Sequence, residues 1–429
     1  MKNFLGKLYR NMMVIEISSN QKIKGIVAGR VIGILDGEGM IPEFNNREKG
    51  YILQDDSGRI VVLSDDLPNI GDIIKVMVEK LPVGIQQVGE WQILVNCEDF
   101  FIAPSSPNFL KMIVDENLKA KLKKRALIIN EIRNFFLGRG FLEIDTPALV
   151  KYPGQEPYLD LFKTQFLGCY EGKKVKDDLY LISSPEYALK KYLVGGFEKI
   201  FQIGKAFRNK ESFSERHNPE FTLLEWYRAY ASYLDIMDDT EELVKYLFEI
   251  FNGGNEVLRY QGKEIQIIVK WDRISVTDAF KKYAGVQMPE NDQEKFFEIF
   301  LNKIEPQLGM KKPVIIFDYP ISMAALSKAS DVNPKLAERF EVYIGGMELC
   351  NAFSELNDPI EQQKRLEEEK ILRQKIGKDI YDIDPKFIAA LQIGMPPAGG
   401  NALGVDRLIM LLLGVDNIEN ILPIPYRDL

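Results

Sequence analysis

Two arginine-containing segments give the clearest chemical signal in this sequence. Arg208 begins the polar run R-N-K-E at 208–211, and extended apolar runs flank the polar loop that contains it. This pattern predicts a hairpin whose tip handles an anion, because the forked guanidinium of Arg208 suits a phosphate oxygen. Residues 399–404 are mostly small and lead into an apolar helix with Arg407 in its opening turn. The glycines would let a ligand approach the backbone, and Arg407 would add positive charge.

The usual phosphate-binding fingerprints are missing from the sequence. It has no G-x-x-x-x-G-K-[ST] motif and no strand-linked G-x-G-x-x-G, so the arginine segments must hold ATP if ATP binds. His217 is the only histidine, which excludes an H-E-x-x-H zinc hydrolase and any mechanism that needs two imidazoles. The three cysteines include no C-x-x-C pair, so neither a disulfide framework nor a thiolate zinc site is indicated.

Three segments, in order, resemble motifs 1, 2 and 3 of the class II aminoacyl-tRNA synthetases: residues 140–147, 207–227 and 399–411. The run R-H-N-P-E-F-T-L-L-E-W-Y at 216–227 is specific to the subgroup for lysine, aspartate and asparagine. Residues 184–186 and 348–358 resemble the lysine enzymes of that subgroup. The resemblance implies an α+β fold, with the antiparallel class II sheet flanked by helices, and a homodimer packed across a two-fold axis. It also implies a ligase that converts ATP to AMP and diphosphate.

The resemblance further implies which side chains bind the substrates. A cationic amino-acid tail needs buried carboxylate partners. The residues expected to bind the amino acid are Ser184, Glu186, Glu225, Tyr227, Asn351 and Glu355. Those expected to bind ATP are Arg208, Asn209, Glu211, His217, Asn218, Phe221, Glu348, Leu349, Gly404 and Arg407. Taken singly, each glutamate is more often a structural ion-pair residue, and the resemblance raises these above that expectation.

The implied chemistry requires no protein nucleophile. The substrate carboxylate would attack the α-phosphate in line, promoted by positioning and charge neutralisation from the catalytic residues Arg208 and Arg407. Glu348 and Glu355 would hold Mg²⁺, an ion that prefers oxygen ligands. The family pattern is Arg-Asn-Glu, whereas this chain reads R-N-K-E. Either Lys210 or Glu211 could therefore take the adenine-reading position.

Different parts of the sequence favour different acceptors for the activated amino acid. Ala402, E-W-Y at 225–227 and G-M-P at 394–396 resemble the ligase that attaches lysine or (R)-β-lysine to elongation factor P, whereas synthetases carry glycine in place of Ala402. A changed pocket at Ala402 suits the longer backbone of a β-amino acid. The N-terminal region favours the lysyl-tRNA synthetase, since the elongation factor P ligases lack it and synthetases use it to read the anticodon. A catalytically inactive regulator is a third alternative, disfavoured because both arginines and both metal-type glutamates are present.

Two domains are expected, an OB-like β-barrel at 1–105 and a class II catalytic domain at 106–429. About five short β-prone runs between residues 22 and 104, with a turn signal at 56–58, predict the barrel. A linker is predicted at 103–107. An amphipathic helix from Asn117 to about Gly138 would then open the second domain, on the spacing of Leu118, Leu122, Leu127, Ile128, Ile132, Phe135 and Phe136.

Composition limits the class of protein and its partners. The chain has 429 residues, 46% of them hydrophobic, and a net charge of −8, which is not typical of a protein that coats nucleic acid nonspecifically. We find no leader-like N-terminus and no apolar run long enough for a membrane helix, so the cytoplasm is the expected compartment. The barrel carries Asp55, Asp56, Asp65 and Asp66 near its lysines, which lowers the expectation of RNA binding.

Overall fold

The computed structural model describes residues 24–35, 49–55, 59–70, 72–81, 84–87, 92–95, 106–211, 214–255, 257–290 and 292–429. The chain forms two compact units, Met1–Glu116 and Asn117–Leu429. The division therefore lies beyond the boundary that the sequence suggested at residues 105 and 106. The predicted turn at 56–58 lies outside the described residues, as does most of the predicted linker.

The first unit contains a small β-barrel. Its strands are β1 (Lys24–Leu35), β2 (Gly50–Gln54), β3 (Arg59–Leu63), β4 (Ile73–Leu81), β5 (Gly84–Gln87) and β6 (Gln92–Val95). The sheet order is β1-β2-β3-β5-β4-β6, and β1 also pairs with β4, so five strands close on themselves. Alternate residues such as Ile60 and Val62, or Ile74, Val76 and Val78, are buried in its core. The barrel predicted from the period-two runs is confirmed.

The remaining elements follow in chain order. The helices are α1 (Asn108–Val114), α2 (Glu116–Leu137), α3 (Glu186–Val194), α4 (Tyr233–Phe251), α5 (Val276–Ala279), α6 (Gln293–Ile299), α7 (Pro359–Lys375), α8 (Pro385–Ile393) and α9 (Val405–Leu413). The strands are β7 (Leu142–Glu143), β8 (Leu149–Val150), β9 (Lys163–Tyr170), β10 (Lys173–Leu181), β11 (Lys199–Phe207), β12 (Glu220–Ala229), β13 (Val257–Tyr260), β14 (Lys263–Gln266), β15 (Asp272–Ser275), β16 (Val314–Pro320), β17 (Leu336–Ile344), β18 (Met347–Ser354) and β19 (Ala398–Gly404). Short π-helical or 3₁₀ turns occupy Phe280–Ala284, Phe300–Ile304, Glu305–Gln307, Ile321–Met323, Ile418–Ile421 and Tyr426–Asp428.

An eight-stranded sheet organises the second unit, in the order β15-β16-β17-β18-β19-β12-β11-β7. Its inner pairs are antiparallel, and the two outermost pairs, β15 with β16 and β7 with β11, are parallel. The main core joins this sheet to α2, α4 and α9. Phe136 of α2, for example, has its ring centroid 5.0 Å from that of Phe201 and 5.2 Å from that of Trp226. The α+β fold with an antiparallel sheet and flanking helices is confirmed.

Helix α2 largely follows its predicted pattern. Leu118, Ile128, Ile132, Phe135 and Phe136 are buried. Leu127 is 57% exposed, so its assignment to the buried stripe was wrong. Consecutive helical residues point about 100° apart, and Ile128 occupies the inward direction. Among the described residues, no helix combines the length and hydrophobicity needed to cross a membrane.

Candidate active site

The hairpin of β11 and β12 and the neighbouring strands β18 and β19 bring the predicted motifs together. Ala402 on β19 is in register with Glu225 of β12 and with Asn351 of β18. Directly paired residues of antiparallel strands project their side chains to the same face of the sheet. Ala402, Glu225 and Asn351 therefore share the face on which the site is built.

A cavity of about 250 Å³ opens over this face, and we call it the active-site cavity. Most of the predicted site residues line it: Ser184, Glu186, Arg208, Glu211, His217, Asn218, Phe221, Tyr227, Glu348, Leu349, Asn351, Glu355, Gly404 and Arg407. Ala402 also lines it. Asn209 and Glu225 are not in its wall. The backbone N–H of Asn209 donates to the Asp160 carbonyl oxygen at 2.8 Å, and Glu225 lies fully buried beneath the cavity.

Arg407 is held at the cavity wall by two neighbours. Its guanidinium donates to the Glu348 carbonyl oxygen at 2.9 Å and to His217 Nε2 at 3.0 Å. Because arginine is always a donor, Nε2 must accept, which leaves the His217 proton on Nδ1 next to Ser214 Oγ at 2.6 Å. Burial and then the charge of Arg407 lower the pKa of His217. A neutral imidazole therefore orients a cationic guanidinium.

Arg208 lies at the start of the loop between β11 and β12. Its guanidinium carbon is 5.1 Å from the centroid of the Phe221 ring, and its Nη1 is 3.5 Å from Glu211 Oε1. Its buried Nε has no hydrogen-bond partner among the residues that the structure describes, so it could donate to a ligand. Lys210 has a positive φ of 57° and pairs instead with Asp160 at 3.5 Å and Asp379 at 3.7 Å. Of the two candidates for the adenine-reading position, Glu211 is the one in the cavity wall.

A buried lysine that the sequence analysis missed lies among the predicted carboxylates. Lys190 of α3 is wholly buried, and its Nζ is 2.5 Å from both Glu186 Oε1 and Glu355 Oε2. Burial opposes its charge, but Glu186 and Glu355 raise its pKa. The spacing of Glu186 and Lys190, four residues apart on a helix, was the available signal.

Glu225 completes this cluster. It accepts hydrogen bonds from Ser184 Oγ at 2.5 Å and from the Tyr227 hydroxyl at 2.9 Å. Burial, followed by repulsion from Glu186, raises the pKa of Glu225 to about 8. Burial likewise raises the pKa of Glu355, against the opposing charge of Lys190. Glu186 and Glu355 thus share one ammonium and Glu225 has hydroxyl partners instead, an arrangement that a further cation would complete.

Glycine is required at one point of the cavity floor. A Cβ on Gly400 would collide with Glu355 Oε1 and with the Tyr227 ring. Gly404, by contrast, has room for a Cβ at ordinary contact distance from Arg407. The glycines of β19 therefore serve the packing of Glu355 and Tyr227 as well as any approach of a ligand.

Arg125 joins α2 to the second and third motif segments, and the sequence analysis did not identify it. Arg125 lies on α2, and its Nη1 is 2.5 Å from Asp406 Oδ1. Its Nη2 donates to Thr222 Oγ1 at 2.9 Å, while the Thr222 backbone N–H donates to Asp406 Oδ2 at 2.6 Å. Asp406 directly precedes Arg407, so this buried network fixes the turn that presents Arg407.

Two carboxylates of the cavity fit a magnesium ion shared with a phosphorylated substrate. Glu348 is partly exposed, with Oε2 3.6 Å from Arg407 Nη1. Glu355 Oε1 accepts no hydrogen bond from any residue within the described ranges. In the part of the chain that the structure describes, no three metal-ligating side chains are grouped. Mg²⁺ typically takes one or two protein carboxylates and fills its other positions with phosphate and water oxygens. The donor set therefore fits.

Comparison with known proteins identifies similar sequences. A family model described as tRNA synthetases class II (D, K and N) matches residues 105–428. The chain is 39% identical to the elongation factor P–(R)-β-lysine ligase of Hamiltonella defensa, over 72% of this chain and 95% of that protein. It is 36% identical to the lysine–tRNA ligase of Magnetococcus marinus, over 74% of this chain and 66% of that protein, just under two thirds of its length. The lysine–tRNA ligase of Moorella thermoacetica is 34% identical, over 93% of this chain and 88% of that protein.

Proposed function

Since this chain belongs to the class II tRNA synthetases of the D, K and N group, we propose that it activates lysine or (R)-β-lysine with ATP and transfers it to a lysine side chain of elongation factor P. The carrying observation is the buried cluster of Glu186, Glu225 and Glu355 around Lys190. The cluster has more carboxyl groups than cations. A substrate with two ammonium groups supplies the missing cations, because a buried charged group requires a partner of opposite charge.

The activation step follows from the positions of the two arginines. A carboxylate oxygen of the amino acid attacks the α-phosphorus of ATP, a P–O bond forms, and the bond to pyrophosphate breaks. Arg208 and Arg407 neutralise the charge that develops on the phosphates. Glu348 and Glu355 would hold Mg²⁺, which supplies further charge neutralisation when bound. The amino groups of the substrate pair with the carboxyl groups of this cluster, next to Ser184. This pairing orients the substrate for in-line attack.

The choice of elongation factor P as acceptor has support from the cavity floor. The Ala402 methyl lies in register between Glu225 and Asn351, where the resembling synthetases have glycine. A methyl group there alters the space around the amino-acid backbone, which is where a β-amino acid differs from lysine. The similar Hamiltonella defensa protein, named as the elongation factor P ligase, is covered over nearly its whole length.

A lysyl-tRNA synthetase is the second candidate. The observation that favours it is the N-terminal barrel, together with the similarity to the Moorella thermoacetica lysine–tRNA ligase over 93% of this chain. Barrels of this type bind oligonucleotides in many proteins, although the topology alone does not identify a ligand. For either acceptor, the catalytic step before transfer is the same.

Labelled amino acids offered with each acceptor distinguish the two functions. Purified protein receives ATP, Mg²⁺ and labelled lysine or (R)-β-lysine, with either elongation factor P or tRNA. We expect acid-stable label on elongation factor P. Label on tRNA with none on the protein would overturn this choice and leave the synthetase.

A further inference from the structure

A second cavity adjoins the active-site cavity on its amino-acid side. We call it the side cavity; it has a volume of about 620 Å³ and is bordered by residues 155–158, residues 321–326 and one face of α7. It shares Glu156, Glu186, Asn351 and Phe353 with the active-site cavity. The two cavities therefore meet at the amino-acid cluster, away from the nucleotide residues His217 and Arg407, which line only the first.

The charges in the wall of the side cavity are unevenly paired. Its basic side chains have acidic partners: Arg339 pairs with Glu341 at 2.5 Å, and Arg365 and Lys364 both pair with Glu361, at 2.8 and 3.5 Å. By contrast, Glu156, Glu368 and Glu369 have no ion-pair partner within 4.0 Å among the residues the structure describes. The wall thus contains more carboxyl groups than basic side chains, and its basic side chains are already paired.

An exposed aromatic pair marks the opening. The rings of Tyr158 and Phe297 lie 6.1 Å apart, nearly perpendicular, and both side chains are exposed. Aromatic side chains at such a position supply contact area for a protein loop, and their faces attract a passing cation.

We infer that the side cavity is the entrance for the acceptor, and that the acceptor is the lysine side chain of a protein rather than the 3′ end of an RNA. The inference rests on the proposed function. An ammonium on a narrow aliphatic stem fits a cavity whose wall has more carboxyl groups than basic side chains. A phosphate backbone would meet only basic side chains that already have acidic partners, Arg339, Lys364 and Arg365.

The transfer step is balanced with groups already named. The acceptor enters as an ammonium and loses one proton to a carboxylate of the side cavity. Its neutral nitrogen attacks the acyl carbon of the aminoacyl adenylate, a C–N bond forms, and the bond from that carbon to the phosphate oxygen breaks. AMP leaves with the electron pair, and the second proton passes to solvent. Burial, followed by repulsion from Glu156 and Glu186, raises the pKa of Glu369 to about 8. Glu369 is therefore already protonated at neutral pH, so the proton of the acceptor passes to the neighbouring Glu368.

The test compares transfer with activation in one protein. The variant is Glu368→Gln combined with Glu369→Gln, and the control is Glu367→Gln, a neighbour on α7 outside the cavity wall. Amino-acid-dependent pyrophosphate exchange reports activation, and label on purified elongation factor P reports transfer. We expect the transfer efficiency relative to the exchange rate to fall roughly tenfold in the double variant and not in Glu367→Gln.

The outcomes separate this inference from the function on which it rests. Normal exchange with an unchanged ratio in the double variant overturns the side cavity as the entrance and leaves the proposed function standing. Label on tRNA instead of protein overturns the lysine acceptor. Wild-type protein without exchange for either amino acid removes the proposed function and the inference together.

Discussion

Glu225 is buried where its negative charge has no cation of its own. Its pKa is raised to about 8 from an ordinary value of 4.5, through burial and then Glu186. Below pH 8 the ligand-free protein therefore holds a proton on Glu225 that the ammonium of the substrate must displace. We predict that the KM for lysine or (R)-β-lysine in pyrophosphate exchange falls as the pH rises from 6 to 8, by up to about tenfold per unit.

The matched variant for this prediction is Glu225→Gln. It should raise the KM for the amino acid, flatten its pH dependence and leave the KM for ATP nearly unchanged. The same raised pKa makes stability highest below the ordinary pKa and lowers it as the pH rises through about 8. Glu225→Gln should therefore not destabilise the ligand-free protein at pH 8.5. An unaltered pH profile in this variant would refute the role of Glu225.

At the residue scale, the sequence analysis identified site residues that belong to recognisable motifs and missed those that do not. Arg208, Arg407 and Glu186 were predicted because they belong to recognisable motifs, and all three line one cavity. Lys190 was missed because a lysine four residues after a glutamate is ordinarily a solvated helix pair. Its complete burial arises from packing between α3 and the sheet, which the local sequence does not encode.

The buried contact of α2 with the strands is the structural link that the active site depends on most. Arg125 bonds to Asp406 and Thr222, and Asp406 is itself buried. We predict that Arg125→Ala lowers the free energy of unfolding by about 3–5 kcal/mol, because it leaves the Asp406 carboxylate uncompensated. Denaturant unfolding measured by circular dichroism checks this.

A control lies on the same helix. Arg133 pairs with Glu143 at 2.9 Å, but both side chains are about one third exposed. Arg133→Ala should cost less than about 1 kcal/mol. Equal losses in the free energy of unfolding for Arg125→Ala and Arg133→Ala would contradict the assignment of Arg125 as the structural link between α2 and the strands.

At the element scale, periodicity predicted the barrel strands and the extent of α2, since each has a regular apolar pattern. The charged composition of α7 is typical of a solvated helix. Yet Arg373 of α7 is fully buried, donating to the carbonyl oxygens of Glu156 and Leu159 at 2.5 and 2.9 Å. The charged composition of a segment cannot show that one of its side chains is buried and holds a loop through hydrogen bonds.

For the whole molecule, three exposed hydrophobic residues in and just before the motif 1 segment favour a dimer. Leu127 and Leu137 of α2 and Leu142 of β7 are large hydrophobic residues left exposed. We predict a homodimer in solution, with a mass twice 49.2 kDa by light scattering at micromolar concentration. Leu127→Glu combined with Leu142→Glu should yield single chains.

The control for the dimer is Ile393→Glu, a still more exposed apolar residue far from motif 1 in the sequence. It should leave the mass unchanged. A wild-type mass of one chain, or a Leu127→Glu and Leu142→Glu variant that remains dimeric, would contradict a dimer formed through motif 1.

Amino-acid-dependent pyrophosphate exchange tests the central claim most directly, because it reports activation regardless of the acceptor. With ATP and Mg²⁺, we predict exchange with lysine or (R)-β-lysine and none with aspartate or asparagine. Arg208→Ala and Arg407→Ala should each lower it by about 100-fold or more, while Arg259→Ala, a surface arginine, should not. The claim would be contradicted if the wild-type protein showed no exchange with either lysine or (R)-β-lysine. It would also be contradicted if exchange with aspartate were equally fast.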